Sequence, residues 1–259
     1  MFAKERRDKI CEMMRENGAV TTSYLVDFFN VSIETIRRDL LCLEESGMLM
    51  RVHGGAVQVG EMKQYNSLPL RNTEQSAQKR ELAKKAVQNV CEGDFIIVDS
   101  GSTAIYFAEE LKEKFSSLTV VTYSIDVFEI LRNHKDFSVI LCGGIFEKSE
   151  NAFYGSLTLD MLDRLHVSKA FICPSAVSLE NGIYDYQHNL CSVQRKIMEI
   201  SDSIFILADS SKFESRALFK LSDMKTEYVY ITDGSLSEKL KKLYVENGIN
   251  IQTPKKSEC

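Results

Sequence analysis

A small helical domain closed by a hairpin, followed by a larger α/β domain with a mostly parallel sheet, is the fold class this sequence predicts. Three observations predict it. Residues 1–57 hold three helical patterns in close succession, then two short apolar runs about a Gly-Gly pair. From residue 95 to 232, continuous apolar runs alternate with helical stretches. Between these regions, periodicity is lost over 58–74. The expected division is therefore 1–57, a linker at 58–74, and 75–259. A chain of 259 residues has room for one small and one medium domain, and 44% apolar residues is ordinary for a globular protein.

The first helical pattern covers 2–17, with Ile10, Met13 and Met14 on one side and a stop at Gly18. The second covers Thr21–Phe29, with Leu25, Phe28 and Phe29 inward. Only Asn30, Val31 and Ser32 separate it from the third, so the pair reads as a helix-turn-helix over about 20–39. Ser32 is a good N-cap for the third helix, and Glu34 in the first turn complements the helix dipole. At 100° per residue, Ile33, Ile36, Leu40 and Leu43 fall on one stripe that must bury. Arg38 points away from that stripe, Arg37 lies on its shoulder, and Glu34 and Thr35 flank it. A buried stripe opposite an arginine suits a helix lying in a DNA groove, where phosphates supply affinity and a guanidinium can grip guanine twice. Gly47 ends this helix as a C′ residue. Met48–Val52 and Ala56–Val59, about His53-Gly54-Gly55, read as a hairpin, a wing from which Arg51 and His53 would touch backbone phosphates. A protein-binding helical module is the plain alternative. The first 57 residues carry eight Lys/Arg against nine Asp/Glu, a net −1 of the chain's −5, so any basic footprint must come from where the arginines point.

Thr35-Ile36-Arg37-Arg38-Asp39-Leu40, followed by Leu43-Glu44, Gly47, Leu49 and Arg51-Val52-His53-Gly54-Gly55-Ala56, resembles the N-terminal domain of the DeoR/GlpR family of bacterial transcription regulators. The likeness runs through nearly all of residues 3–58. It implies a winged helix-turn-helix, with Ser32, Glu34, Thr35, Arg37, Arg38, Arg51 and His53 toward DNA, joined to a domain that senses a sugar phosphate.

Composition narrows the remaining classes. No run approaches the ~18–20 apolar residues of a membrane span. The charged start, Lys4 to Asp8, lacks the apolar segment of a signal peptide, so a cytoplasmic location is expected. The seven cysteines include no C-x-x-C pair and several interrupt apolar runs, as small buried hydrophobes do in a reducing compartment. The four histidines are scattered, and neither a metal site nor a cofactor is expected.

In the second domain a helix is expected from Gln75 to about Cys91, with Leu82, Ala83, Ala86, Val87 and Val90 inward. Strands are expected at Phe95–Val98, Thr119–Thr122, Ser138–Cys142, Lys169–Cys173, Ile204–Ala208 and Tyr228–Thr232, separated mostly by helices, hence a parallel sheet covered on both faces. Ligands of such sheets bind outside the carboxyl ends of the strands. After the first strand comes Asp99-Ser100-Gly101-Ser102-Thr103, opening a helix: backbone N–H groups, hydroxyls and a helix dipole together make an anion cradle. The same residues would also serve as an ordinary N-cap and turn. Gly143-Gly144, after the third strand, would allow close backbone approach to a ligand. Lys212, in Asp209-Ser210-Ser211-Lys212-Phe213, could pair with phosphate. Asp99 and Asp209 would repel phosphate, and fall to sugar hydroxyls or to holding the loops.

This half also resembles the DeoR/GlpR effector domain over roughly 71–235, through Lys79, Asp99–Thr103, Gly143-Gly144, Phe153 with Gly155, Gly182 and Ala208–Phe213. The resemblance implies a fold similar to ribose-5-phosphate isomerase. The chain departs from the family pattern at Tyr123 (usually Asn), at Cys173-Pro174-Ser175-Ala176, at Gln187-His188-Asn189-Leu190 (usually acidic) and at Gln194 (usually Lys).

The function expected is a sequence-specific DNA-binding regulator, most simply a repressor of a sugar-metabolism operon. Its partners would be a double-stranded DNA operator, a phosphorylated sugar, and further copies of itself in a homodimer or higher oligomer. A sugar-phosphate isomerase with an appended DNA-binding domain is the alternative. Isomerisation needs a placed base and proton donor, and near Pro174-Ser175-Ala176 only Asp185 offers a carboxylate, so no catalytic residue is assigned. A non-catalytic scaffold that binds a protein partner is a third possibility, and salt-sensitive duplex binding would argue against it.

Overall fold

The computed structural model describes residues 3–17, 19–45, 48–52, 55–57 and 66–254, and the chain divides into two compact units, 1–64 and 65–259. Gly18, Gly47, His53 and Gly54 lie outside the described residues.

The N-terminal unit contains α1 (Ala3–Asn17), β1 (Ala19–Thr21), α2 (Thr22–Phe29), α3 (Ile33–Glu45), β2 (Met50–Val52) and β3 (Gly55–Val57). Thr21 caps α2, its hydroxyl accepting from Tyr24 N–H at 3.2 Å, and Ser32 caps α3 through Thr35 N–H at 3.3 Å. Asn30 makes the turn between them in the left-handed conformation, which Asn tolerates better than most residues. Ile10, Met13, Met14, Leu25, Ile36, Leu40 and Leu43 bury together with Val20, Leu49 and Ala56. Two expected core residues lie outside this group: Ile33 is 45% exposed and Phe28 49%. Helical side chains lean toward the N-terminus, so Ile33, at the first position, leans off the end of α3. Leu25, with Val26 and Phe29 half-buried, seals the short α2, while Phe28 packs beside Tyr24 and Phe29 at its edge.

The hairpin forms, with Arg51 opposite Ala56, and β1 joins it as a third antiparallel strand in the order β1-β3-β2. That three-residue strand carries too little pattern to be read in advance. A side chain at Gly55 would run into the Val20 carbonyl of β1, so the pairing itself demands glycine there.

The C-terminal unit begins with α4 (Leu68–Thr73) and α5 (Ser76–Ala86). The expected linker thus contains a helix: Pro69, which reads as a breaker, sits in the first turn of α4, where proline is tolerated. Then come β4 (Phe95–Val98), α6 (Ser102–Lys114), β5 (Thr119–Thr122), α7 (Ile125–Leu131), β6 (Ser138–Leu141), β7 (Ile145–Glu147), β8 (Ala152–Tyr154), α8 (Ser156–Leu162), β9 (Val167–Ile172), β10 (Ala176–Ser178) and β11 (Gly182–Asp185). The chain closes with α9 (His188–Glu199), β12 (Ser201–Leu207), β13 (Phe219–Ser222), β14 (Val229–Ile231), α10 (Glu238–Glu246) and β15 (Asn250–Gln252).

Seven strands form one parallel sheet in the order β15-β14-β12-β9-β4-β5-β6. Successive residues feed opposite faces: Ile97, Val121, Ala170 and Ile206 enter one core, and Ile96, Val120, Phe171 and Phe205 the other. Each of the six expected strands is present, with ends moved by up to three residues. The edge strand β15, the β7–β8 hairpin and a small antiparallel sheet, β10-β11-β13, are additional. From β4 the chain builds outward to β6, then returns to lay β9 on the other side of β4. The order therefore reverses between β4 and β9, and the crevice at their carboxyl ends is where such sheets hold ligands.

Candidate functional sites

In the N-terminal unit, Ser32, Glu34, Arg37 and Arg38 are exposed and Thr35 is half-buried, its hydroxyl 2.9 Å from Ser32 Oγ. Arg37 pairs with Glu34 one turn earlier at 2.7 Å. Arg38 makes no ion pair with the described residues and stands on the face opposite buried Ile36 and Leu40. The Glu44 carboxylate accepts both from Arg51 N–H and from its Nε, each at 2.9 Å, tying β2 to the end of α3. Arg51 is thus partly committed within its own chain, whereas the sequence suggested a free phosphate contact. His53 lies outside the described residues. Asp39 turns inward: with Arg6 of α1 it forms a buried ion pair at 2.5 Å. The acid in Arg37-Arg38-Asp39 therefore anchors the helix that the two arginines decorate.

In the C-terminal unit, Asp99 follows β4 at the reversal point and is fully buried. Its N–H donates to the Phe171 carbonyl of β9 at 3.0 Å. Its carboxylate accepts from Ser100 N–H (2.8 Å), Cys173 N–H (2.8 Å), Gln194 Nε2 (3.0 Å) and the Tyr123 hydroxyl. Burial raises the Asp99 pKa, opposed by those four donors. Of the two roles open to Asp99, the geometry supplies the second: it holds the loops. Asp209 does likewise, accepting from Ser211 N–H at 3.1 Å and Ser211 Oγ at 2.5 Å.

Gly101 adopts φ +94°, and Ser102 and Thr103 are buried in the first turn of α6. Thr103 Oγ1 is buried without a hydrogen-bond partner among the described residues. Arg71 Nη1 stands 3.8 Å from the Cβ position of Gly101, and Arg71 and Lys212 both act electrostatically on Lys79. Lys79 is 3% exposed, its ammonium donating to the Arg71 and Glu74 carbonyls at 2.5 and 2.6 Å. Lys212 donates to the Pro174 carbonyl at 2.7 Å. Burial, then the charge of Lys212, brings the Lys79 pKa down to about 8, with Asp209 opposing and Arg71 adding. Crowded cations beside a helix N-terminus favour an anion.

Gly144 has a packing role within its own chain, beside an open Gly143. A side chain at Gly144 would strike Thr158 Oγ1 and the Tyr154 carbonyl, and Thr158 Oγ1 donates to the Gly143 carbonyl at 3.0 Å. The close backbone approach at Gly144 is to α8 and β8, whereas a side chain at Gly143 would meet nothing within 4 Å.

Lys79, Tyr123, Asp185, Gln194 and Arg71 join the assigned residues. Lys79 was legible as a lysine on the inward stripe shared with Leu82, Ala83 and Ala86. The positions that depart from the family pattern converge: Gln194 donates to Asp99 and, at 3.1 Å, to Asp185, which also accepts from Ser175 Oγ at 2.9 Å. Among the described residues no group of three His, Cys, Asp or Glu side chains could hold a metal ion, and no helix is long and apolar enough to cross a membrane.

A helix-turn-helix unit with outward arginines, joined to an α/β unit whose polar residues gather at the carboxyl ends of its strands, defines a ligand-responsive DNA-binding regulator. Comparison with known proteins makes the assignment specific. Residues 6–61 match the DeoR-like helix-turn-helix domain and residues 74–234 the DeoR C-terminal sensor domain. The chain is 34% identical to the uncharacterized HTH-type transcriptional regulator YulB of Bacillus subtilis, over 91% of each chain. It is 32% identical to the L-fucose operon activator of Haemophilus influenzae, over 94% of this chain and 97% of that one. It is 28% identical to the glycerol-3-phosphate regulon repressor of Escherichia coli, over 90% and 92%. Ribose 5-phosphate isomerase A from Methanocaldococcus jannaschii aligns with 54% of the chain and 55% of its own, at 18% identity and a TM-score of 0.41. The chain belongs to the DeoR family of transcriptional regulators; its relatives are named as regulators, not enzymes.

Proposed function

We propose that the protein represses a sugar-metabolism operon and that a phosphorylated sugar, bound at the carboxyl ends of β4, β9 and β12, modulates its grip on the operator. Three observations support this reading: a helix N-terminus with a buried Thr103 hydroxyl that has no partner among the described residues, an Arg71 Nη 3.8 Å from the Cβ position of Gly101, and a buried Lys79 that feels the charges of Arg71 and half-buried Lys212. Gly101, Ser102 and Thr103 take the phosphate, with Ser100 and Asp99 holding their loop and Asp209 holding that of Lys212. Arg38, Arg37, Thr35, Glu34 and Ser32 read or position on the duplex, and Arg51 and His53 of the wing meet its backbone.

The ligand acts by linkage: it prefers one state of the protein and so biases the DNA equilibrium. A homodimer would present two recognition helices to half-sites about 34 Å apart. The location is cytoplasmic, where the operator is. The relative named as a glycerol-3-phosphate regulon repressor supports the sign, against the L-fucose operon activator.

The test is the double substitution Ser102→Val, Thr103→Val, assayed on an operator selected from genomic DNA. The expected outcome is an operator complex that forms normally and no longer responds to the sugar phosphate that releases the wild type. A normal response would exclude the cradle.

A further inference from the structure

Arg71 lies in α4, a few residues after the N-terminal unit ends, in a segment without periodic signal. Its guanidinium nevertheless reaches the crevice. One Nη stands 3.8 Å from where a Cβ on Gly101 would be, at the mouth of the cradle. The other donates to both oxygens of the buried Glu150 carboxylate at 2.6 Å, and Nε donates to the Asn66 carbonyl at 3.0 Å. The Arg71 carbonyl in turn accepts from Lys79. Two of the three cations that act on the crevice are therefore fastened to α4, one by its side chain and one through the helix's carbonyls.

Resting on the phosphate reading above, we infer that Arg71 is a direct ligand of the effector's phosphate, held by Glu150 until the anion arrives. Glu150 is the competing anion: it holds one Nη of the pair that a phosphate would take together. Arginine suits the exchange because its planar fork fits carboxylate and phosphate alike. Re-aiming the guanidinium moves its bond to Asn66, the first described residue after the segment that joins the units. Ligand occupancy is thereby linked to the chain leading toward the DNA-binding unit.

The full-length protein is titrated with inorganic phosphate, binding being read by calorimetry and by the rise in melting temperature. Arg71→Gln weakens phosphate binding by about tenfold or more, the loss of a charge-assisted hydrogen bond. Arg71→Lys weakens it less. Glu150→Gln, which removes the competitor, tightens it severalfold. Opposite signs for Arg71→Gln and Glu150→Gln support the exchange. A pair that merely braces the fold would weaken binding in both variants, which overturns it, as does wild-type affinity in Arg71→Gln. No binding by the wild type overturns the phosphate reading and this one together, whereas wild-type binding with an unaffected Arg71→Gln overturns this one alone. Hydrogen exchange across 66–74 is expected to change with phosphate in the wild type and not in Arg71→Gln. Unchanged exchange in phosphate-bound wild type would overturn the link to the joining segment.

Discussion

In the N-terminal unit the charged side chains of α3 stand in water and pair, as Arg37 does with Glu34, with a neighbour one turn away. In the C-terminal unit the polar groups at the strand ends are buried, and Asp99 alone is held by four donors. The difference follows from what each unit meets. A duplex is a large polyanion that comes to the surface, so outward guanidinium groups suffice and their exact pose can be set on contact. A small anion must be taken from water into a site whose dipoles are already fixed, and fixing them requires burial and multiple bonds.

The comparison has one internal exception, and it predicts the largest effect. Asp39 sits between the exposed arginines and the core, in a buried pair with Arg6. Asp39→Ala removes the carboxylate of a buried ion pair and is expected to destabilise the N-terminal unit by about 3 kcal/mol, measured by denaturant unfolding. Arg38→Ala should leave stability within about 0.5 kcal/mol and remove about 1–3 kcal/mol of operator affinity, abolishing the gel shift at physiological salt. An unchanged shift would refute the recognition-helix assignment.

Next in size is a pH effect confined to the C-terminal unit. Burial, with the charge of Lys212, brings the Lys79 pKa down to about 8, and only its ammonium form attracts phosphate. Affinity for inorganic phosphate should be nearly full at pH 7 and fall about tenfold by pH 9, although phosphate gains charge over that range. Bound anion raises the Lys79 pKa, so binding above pH 8 takes up protons, visible as a buffer-dependent heat. Lys79→Met should flatten the profile. The smallest effect belongs to the exposed pair: Glu34→Ala should change stability by no more than about 0.5 kcal/mol. A larger loss would mean that the α3 surface is more ordered than its exposure implies.

The same contrast explains what could be read in advance. The helix-turn-helix is local: Ser32 as cap, Ile36, Leu40 and Leu43 as stripe, and Arg38 opposite all lie within four turns of one chain segment. The parallel strands were legible because both faces bury and the apolar runs are continuous. The crevice is assembled from positions 71 to 212, and only its glycine- and hydroxyl-rich turn carried a local signature. Lys79 could be flagged from its place on an apolar stripe, but Arg71 could not, because Pro69 and Asn72 disguise its helix as a loop. Short strands such as β1, β7 and β13 owe their form to partners elsewhere in the chain. The inward turn of Asp39 depends on Arg6, 33 residues away.

Asp99 draws the ends of β4 and β9, the Tyr123 phenol and the Gln194 amide onto one carboxylate, leaving the neighbouring turn, the proposed receptor of the anion, outside the clamp. Clamp and receptor are separate parts of the molecule. Tyr123 and Gln194 are arms of that clamp, so exchanging either changes how firmly the turn beside them is held.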